Sequence, residues 1–216
     1  EDRAPTADEL QRMRALVREA MEEGAVGLGS SLIYAPAFYA STDELVELAK
    51  VVGEYDGMYI SHLRSEGNHL LEAIDELIQI AREGDVAAEI YHLKMAGRQN
   101  WDKFDDVVAR VEAAQAEGLE ITVDIYTYTA GSTGLDAAMP PWVQEGGYEA
   151  WRKRLMDPQI RAQLLEEMTT ATDDWENLWL ASGIEGTLLV GFNNPELRHY
   201  TGMTLEEVAA ERGTSD

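Results

Sequence analysis

Two histidines offer most of the chemistry in this sequence. His62 lies in "YISHLRSEG" and His92 in its echo "EIYHLKMAG"; each follows an apolar, strand-like run and precedes a leucine and a cation. In parallel α/β folds the C-terminal ends of the strands converge on the working site. Adjacent strands stand about 4.8 Å apart, so two imidazoles placed alike can share one metal ion. Zinc takes neutral imidazole readily, and a catalytic zinc site combines three protein ligands with a water. That water loses its proton near neutral pH and becomes a nucleophile. Taken singly, each histidine is more often a hydrogen-bonding residue than a ligand; the shared placement in adjacent units brings the metal reading level with it. His69, at a helix start, and His199, near the end of the chain, read as surface residues. Asp124, in "ITVDIY", is either a third polar group at the next strand end or a buried acceptor that orients a neighbour. With no cysteine and no His-x-His, the pair amounts to half a metal site.

The elements that must position these residues alternate. A Thr6/Glu9 capping box opens a helix that runs to Gly24, and the short apolar run 25–30 reads as a buried strand. Ser41 and Glu44 open a second helix, and "GMYISH" follows as a strand ending at His62. "NHLLEAIDELIQIAREG" carries Leu70, Leu71, Ile74, Leu77 and Ile78 on one helical stripe. "VAAEIYH" is a strand ending at His92, then comes a helix to Gly118, then the strand "LEITVDIY". Strand and helix alternating in this way mean parallel strands with crossover helices, in a doubly wound sheet or a barrel. No glycine-rich phosphate motif follows any strand, which disfavours nucleotide folds. After about residue 135 the rhythm changes. Asp157-Pro158 reads as an N-cap and first helical residue, "WENLWLA" and "GTLLVGF" read as a pair of short strands, and Thr204/Glu207 opens a last helix. The expected organisation is a sheet unit over 1–138 and a mainly helical insertion or tail over 139–216.

Composition narrows the partners. The 216 residues carry 41 acidic against 17 basic side chains, a net charge of −24. Such a surface repels phosphate backbones, so neither nucleic acid nor an anionic membrane is an expected partner. The absence of cysteine makes a reducing, cytoplasmic setting the default. The chain begins at Glu1 and stops after "AAERGTSD"; both ends read as cut from a longer polypeptide.

The blocks "GAVGLGSSLIYAPAFYASTDEL", "GMYISHLRSEGNHLLEAIDELI", "EIYHLKMAGRQNW", "VDIYTYTAGSTGL" and "MPPWVQEGG" resemble, in order and spacing, the N-acyl-D-amino-acid deacylases (D-aminoacylases) of the amidohydrolase superfamily. The resemblance implies an α/β fold, part of a (β/α)8 TIM-type barrel comprising strands four to seven. It implies zinc as cofactor, His62 and His92 as two of its ligands, and a small N-acyl-D-amino acid as substrate. Zinc would activate a water to attack the amide carbon. The His-x-His motif and cysteine that complete the family's site would precede Glu1, and the proton-shuttling aspartate would follow Asp216. Lys94, Tyr34 and Tyr128 match positions lining the family's substrate pocket, where a cation and hydroxyl donors suit an anionic substrate. Arg64 either does the same or pairs with nearby Glu66. Ser132 and Thr133 either donate to a substrate carboxylate or cap their own loop. Tyr91, where serine often precedes the histidine, and Thr127, where proline is more usual, depart from the family pattern beside the site. The alternatives are a related cyclic amidase or dipeptidase, or a non-catalytic structural module. Unpaired outer strands of a partial barrel are association edges, so a homo-oligomer is expected.

Overall fold

The computed structural model describes residues 3–214. Helix α1 (Ala7–Glu22) precedes β1 (Gly27–Ser31), and the chain then alternates α2 (Thr42–Gly53), β2 (Met58–His62), α3 (Leu70–Gly84), β3 (Ala87–Ile90), α4 (Phe104–Ala116) and β4 (Ile121–Val123). The four strands form one parallel sheet in the order β1-β2-β3-β4. Each parallel neighbour requires a crossover, and α2, α3 and α4 supply the three.

The register aligns Leu28, Tyr59, Ala88 and Ile121 in one row. This row faces the helices, and Tyr59, Ala88 and Ile121 are almost wholly buried. They join Leu45 and Val52 of α2, Ile74 and Leu77 of α3, and Val107 and Val111 of α4 in one apolar cluster. Burying each large aliphatic side chain favours the fold by about 1.5–3 kcal/mol. The next row, Gly29, Ile60, Glu89 and Thr122, points to the other face because side chains alternate along a strand. That face is half-buried to exposed, and on it the Thr122 hydroxyl donates to Glu89 at 2.9 Å. His62 lies on this open face at the last position of β2. β1 and β2 approach so closely that a Cβ on Gly27 would lie 2.0 Å from the Met58 carbonyl oxygen.

Helix starts follow the local signals. Thr6 and Glu9 form the reciprocal capping box, Thr204 and Glu207 another, and Asp157 caps the helix that Pro158 begins. At α2 only half the box forms. Ser41 accepts from the Glu44 amide at 3.2 Å, while Glu44 itself is partly buried and its carboxyl is raised by that burial. α3 ends on a left-handed Asp85 (φ 48°), one residue beyond the expected Gly84, which lies buried against Ala49.

The main apolar cluster ends at Ile121. Beyond it lie α5 (Tyr148–Met156), α6 (Pro158–Thr169), α7 (Leu178–Gly186), interrupted at Gly183, and α8 (Leu205–Arg212). In this region Leu164 and Tyr200 are buried, but Leu165, Leu180, Leu188 and Val190 are exposed. The expected strand pair in this region is not formed. Asn177 accepts from the Leu180 amide at 3.1 Å and starts "WENLWLA" as helix, while "GTLLVGF" contributes a single bridge, Leu188 to Thr204. A short apolar run fits either state, and here an N-cap decides it. Among the described residues no helix is long and apolar enough to cross a membrane.

Candidate metal centre

The two histidines meet, but they reach the site differently. His62 ends β2 within the sheet, whereas β3 stops at Ile90 and His92 follows in the left-handed region, φ 41°. A non-glycine residue there is uncommon. Its backbone is held on both sides by the turn after β4: Asp124 Oδ1 accepts from the His92 amide, and the Asp124 carbonyl accepts from Leu93 at 2.9 Å. Asp124 is therefore the acceptor that orients a neighbour. The result brings the rings of His62 and His92 to 4.6 Å between centroids, edge to face.

A third group completes the cluster. Glu66, buried in the loop after β2, lies with Oε1 3.0 Å from His92 Nδ1 and 3.6 Å from His62 Nε2. Ligand atoms of His62, Glu66 and His92 all lie within 4.8 Å of one another. Nε2 of His62 is buried and has no hydrogen-bond partner, although a buried polar nitrogen ordinarily finds one. Burial, followed by the charges of His92 and Lys94, lowers His62 to about 3. His92 is lowered too, mainly by burial. Both shifts favour the neutral imidazole, the form that can take a cation, and the lone pair of His62 Nε2 has no other partner. Burial raises Glu66 to about 7 against the opposing pull of Lys94, with Glu176 adding to the rise. Two imidazoles, one of them with an unpartnered ring nitrogen, and one buried carboxyl form a donor set suited to zinc.

Lys94 stands over this cluster. Its ammonium donates to Glu66 Oε1 at 2.5 Å and to His92 Nδ1 at 2.8 Å, and it sits 5.4 Å from the centre of the Tyr126 ring. Tyr34 packs its ring 5.2 Å from that of His62, and its hydroxyl meets Thr133 Oγ1 at 2.8 Å, tying the loop after β1 to the loop after β4. Tyr128 is 80% exposed, and Ser132 is exposed as well; neither touches the cluster. Tyr126 does, at 6.3 Å from the His92 ring.

Arg64 does not pair with Glu66. It donates to both oxygens of Glu76 at 2.9 and 2.8 Å, and to the carbonyls of Phe38 and Ala40 at 2.9 and 2.8 Å. The planar fork favours such a bidentate carboxylate pair, and α3 presents Glu76 where Arg64 can take it. Glu66 and Tyr126 were not singled out as site residues from the sequence. Glu66 lies four residues beyond His62 in a loop, where acids are ordinarily solvent-facing, so no local signal marks it. His69 and His199 are half-exposed, near Glu72 and Glu211 respectively.

No protein-family model matches the chain. It is 38% identical over 133 residues to a D-aminoacylase of Alcaligenes xylosoxydans xylosoxydans, a match covering 62% of this chain and 27% of that protein. It is 34% identical over 129 residues to an N-acyl-D-glutamate deacylase of the same organism, covering 60% and 26%. A crystal structure of D-aminoacylase, described as defining a novel subset of amidohydrolases, aligns with a TM-score of 0.69 at 32% identity, over 99% of this chain and 36% of that one. N-acyl-D-glutamate deacylase from Bordetella bronchiseptica, complexed with zinc and a phosphonate inhibitor, aligns with a TM-score of 0.72 at 26% identity, over 100% and 36%. The chain thus spans 27% of the length of the first relative.

Proposed function

We infer that this chain, which is similar in sequence and fold to the N-acyl-D-amino-acid deacylases of the amidohydrolase superfamily, supplies part of the metal site of a zinc-dependent enzyme that hydrolyses the amide bond of N-acyl-D-amino acids. The observation that carries the reading is the buried, unpartnered Nε2 of His62 facing His92 and Glu66 at the mouth of the sheet. In this reading β1 to β4 are strands four to seven of a (β/α)8 barrel, residues 1–138 form the sheet unit, and 139–216 form an insertion. When bound, zinc supplies polarisation of the amide carbonyl and a water acidified to near neutral pH. His62 and His92 hold it. Lys94 offers the cation that receives a substrate carboxylate, a local exception in a chain of net charge −24. Tyr34 orients the substrate by its hydroxyl, and Tyr128 and Ser132 line the outer mouth. Arg64 serves the scaffold, since its donors are engaged by Glu76 and two carbonyls. The remaining ligands and the proton-shuttling aspartate come from other parts of the protein, which works in the cytoplasm.

Metal analysis with hydrolysis assays on N-acetyl-D- and N-acetyl-L-amino acids tests this reading. A full-length protein carrying this chain is expected to contain zinc and to cleave the D series, while the 216-residue chain alone binds metal without turnover. A full-length protein with neither zinc nor amide hydrolysis overturns it. The same reading leaves the edges of β1 and β4 and the row from Gly29 to Thr122 uncovered in the isolated chain. Open edges template pairing with another copy, so sedimentation velocity is expected to find a dimer or larger assembly; a monodisperse monomer would refute this.

A further inference from the structure

A contact from the helical segment that follows the sheet reaches the loop bearing Glu66, and none of the proposed chemistry uses it. Glu176, just before α7, reaches back more than a hundred residues to the loop after β2. Its Oε1 accepts three donors: the Ser65 hydroxyl at 2.7 Å, the Gly67 amide at 2.7 Å, and the Glu66 amide. Successive backbone amides turned toward one anion form a nest. The middle residue of this nest is Glu66, the carboxyl that faces His62 and His92.

The loop is braced elsewhere without reaching that residue's amide. The Ala96 amide donates to the Glu66 carbonyl at 2.7 Å. Lys103 donates to the carbonyls of Gly67 and Asn68 at 3.2 and 2.6 Å. Ser65 Oγ also accepts from Gly67 and His69, at the start of α3. Asp173, from the same segment as Glu176, accepts from Asn68 at 2.9 Å. Among the described residues, Glu176 accepts from the amides on both sides of the Glu66 α-carbon. Ser65, Glu66 and Gly67 are all buried, so without Glu176 the Glu66 amide would lose its acceptor away from free solvent, which costs more than an ordinary exchange with water, and Gly67 would keep only the longer contact to Ser65 Oγ at 3.2 Å.

We propose that Glu176 is a positioning residue for the metal centre: its carboxylate oxygen holds the Ser65–Gly67 backbone so that the Glu66 carboxyl faces His62 and His92. The proposal rests on the reading of that cluster as a metal site. It differs from a simple docking contact in one respect. A docking contact would stabilise the C-terminal half alone, whereas a positioning contact sets the geometry around the ion.

Three variants of the full 216-residue chain separate these. Glu176→Ala removes the acceptor. Glu176→Gln keeps one oxygen where all three donors converge. Asp173→Ala removes the neighbouring docking contact and leaves the nest untouched. Cobalt(II) is the probe, read by its visible spectrum and binding curve. Glu176→Ala is expected to weaken cobalt binding about 10- to 100-fold, as loss of outer partners of metal ligands does, and to change the visible bands at saturation. Glu176→Gln should restore affinity to within about threefold and recover the wild-type bands, while Asp173→Ala leaves both unchanged. Wild-type behaviour in Glu176→Ala overturns the proposal, as does a Gln variant as impaired as Ala, or an Asp173→Ala variant as impaired as Glu176→Ala. Amide exchange separates this from the metal reading. If the wild type binds no cobalt, the metal reading falls, and the backbone-holding part is judged by the Glu66 and Gly67 amides, which should exchange about three- to tenfold faster in Glu176→Ala. Unchanged exchange overturns it.

Discussion

Replacing either His62 or His92 with alanine is expected to weaken zinc binding to this chain by at least about 100-fold, the upper range seen even for outer partners of metal ligands. His62 offers a buried ring nitrogen with no other partner, held neutral by a pKa lowered to about 3. His92 offers the facing ring, 4.6 Å away. Removing either leaves Glu66 and one imidazole, and the Lys94 ammonium, already 2.5 Å from Glu66 Oε1, then competes for the same carboxylate. Competition titration against a zinc chelator gives the affinities. His69→Ala and His199→Ala serve as controls, because both rings are half-exposed and stand apart from the cluster. Circular dichroism shows whether each variant keeps its fold. Wild-type affinity in either His62→Ala or His92→Ala would remove that residue from the site. In a full-length protein the same substitutions should abolish amide hydrolysis.

The second large effect lies behind the sheet. Ile74→Ala is expected to destabilise the chain by about 2–5 kcal/mol, combining lost transfer energy with the cavity left in a close-packed core. Ile74 is fully buried in the central cluster, on the helix that packs against α2, α4 and β3. Whole domains are stable by only about 5–15 kcal/mol, so one such deletion removes a large share. Urea unfolding should show a lower midpoint with an unchanged slope. Ile125→Ala, on a side chain 69% exposed, should change stability by less than about 0.5 kcal/mol. A loss below about 1 kcal/mol for Ile74→Ala would contradict the packing described here. The prediction also bears on the site, since α3 connects β2, which ends in His62, to β3, which leads to His92.

Much of this architecture was legible in the sequence. The helices start where Thr6, Thr204 and Asp157 cap them, because a cap joins residues only two or three apart in the chain. Parallel strands follow from the regular alternation of apolar runs with helical stripes, and the His62 and His92 pair follows from its place at the ends of two such runs. These signals are local and survive in one dimension. Where local signals conflict they mislead, as with "WENLWLA", which became helix under the Asn177 cap.

Partner choice was not legible, because it depends on which loops the packed sheet brings together. Arg64 stands two residues from Glu66 yet takes Glu76, because α3 offers a bidentate carboxylate at the right angle. Glu66 is one acid among 41 acidic side chains, and only burial beside two imidazoles and Lys94 distinguishes it. Tyr126 rather than Tyr128 faces His92, because the turn after β4 sets which ring points inward. Glu176 meets Ser65, Glu66 and Gly67 across more than a hundred residues. The sequence by itself determined the alternating strands and helices of residues 1–138 and the placement of the two histidines after successive strands, since these rest on neighbouring residues and on repeating periods. Tertiary structure alone decided which carboxyl faces them and what holds it there, since a charged side chain takes its partner from whatever the fold leaves within about 3 Å of it.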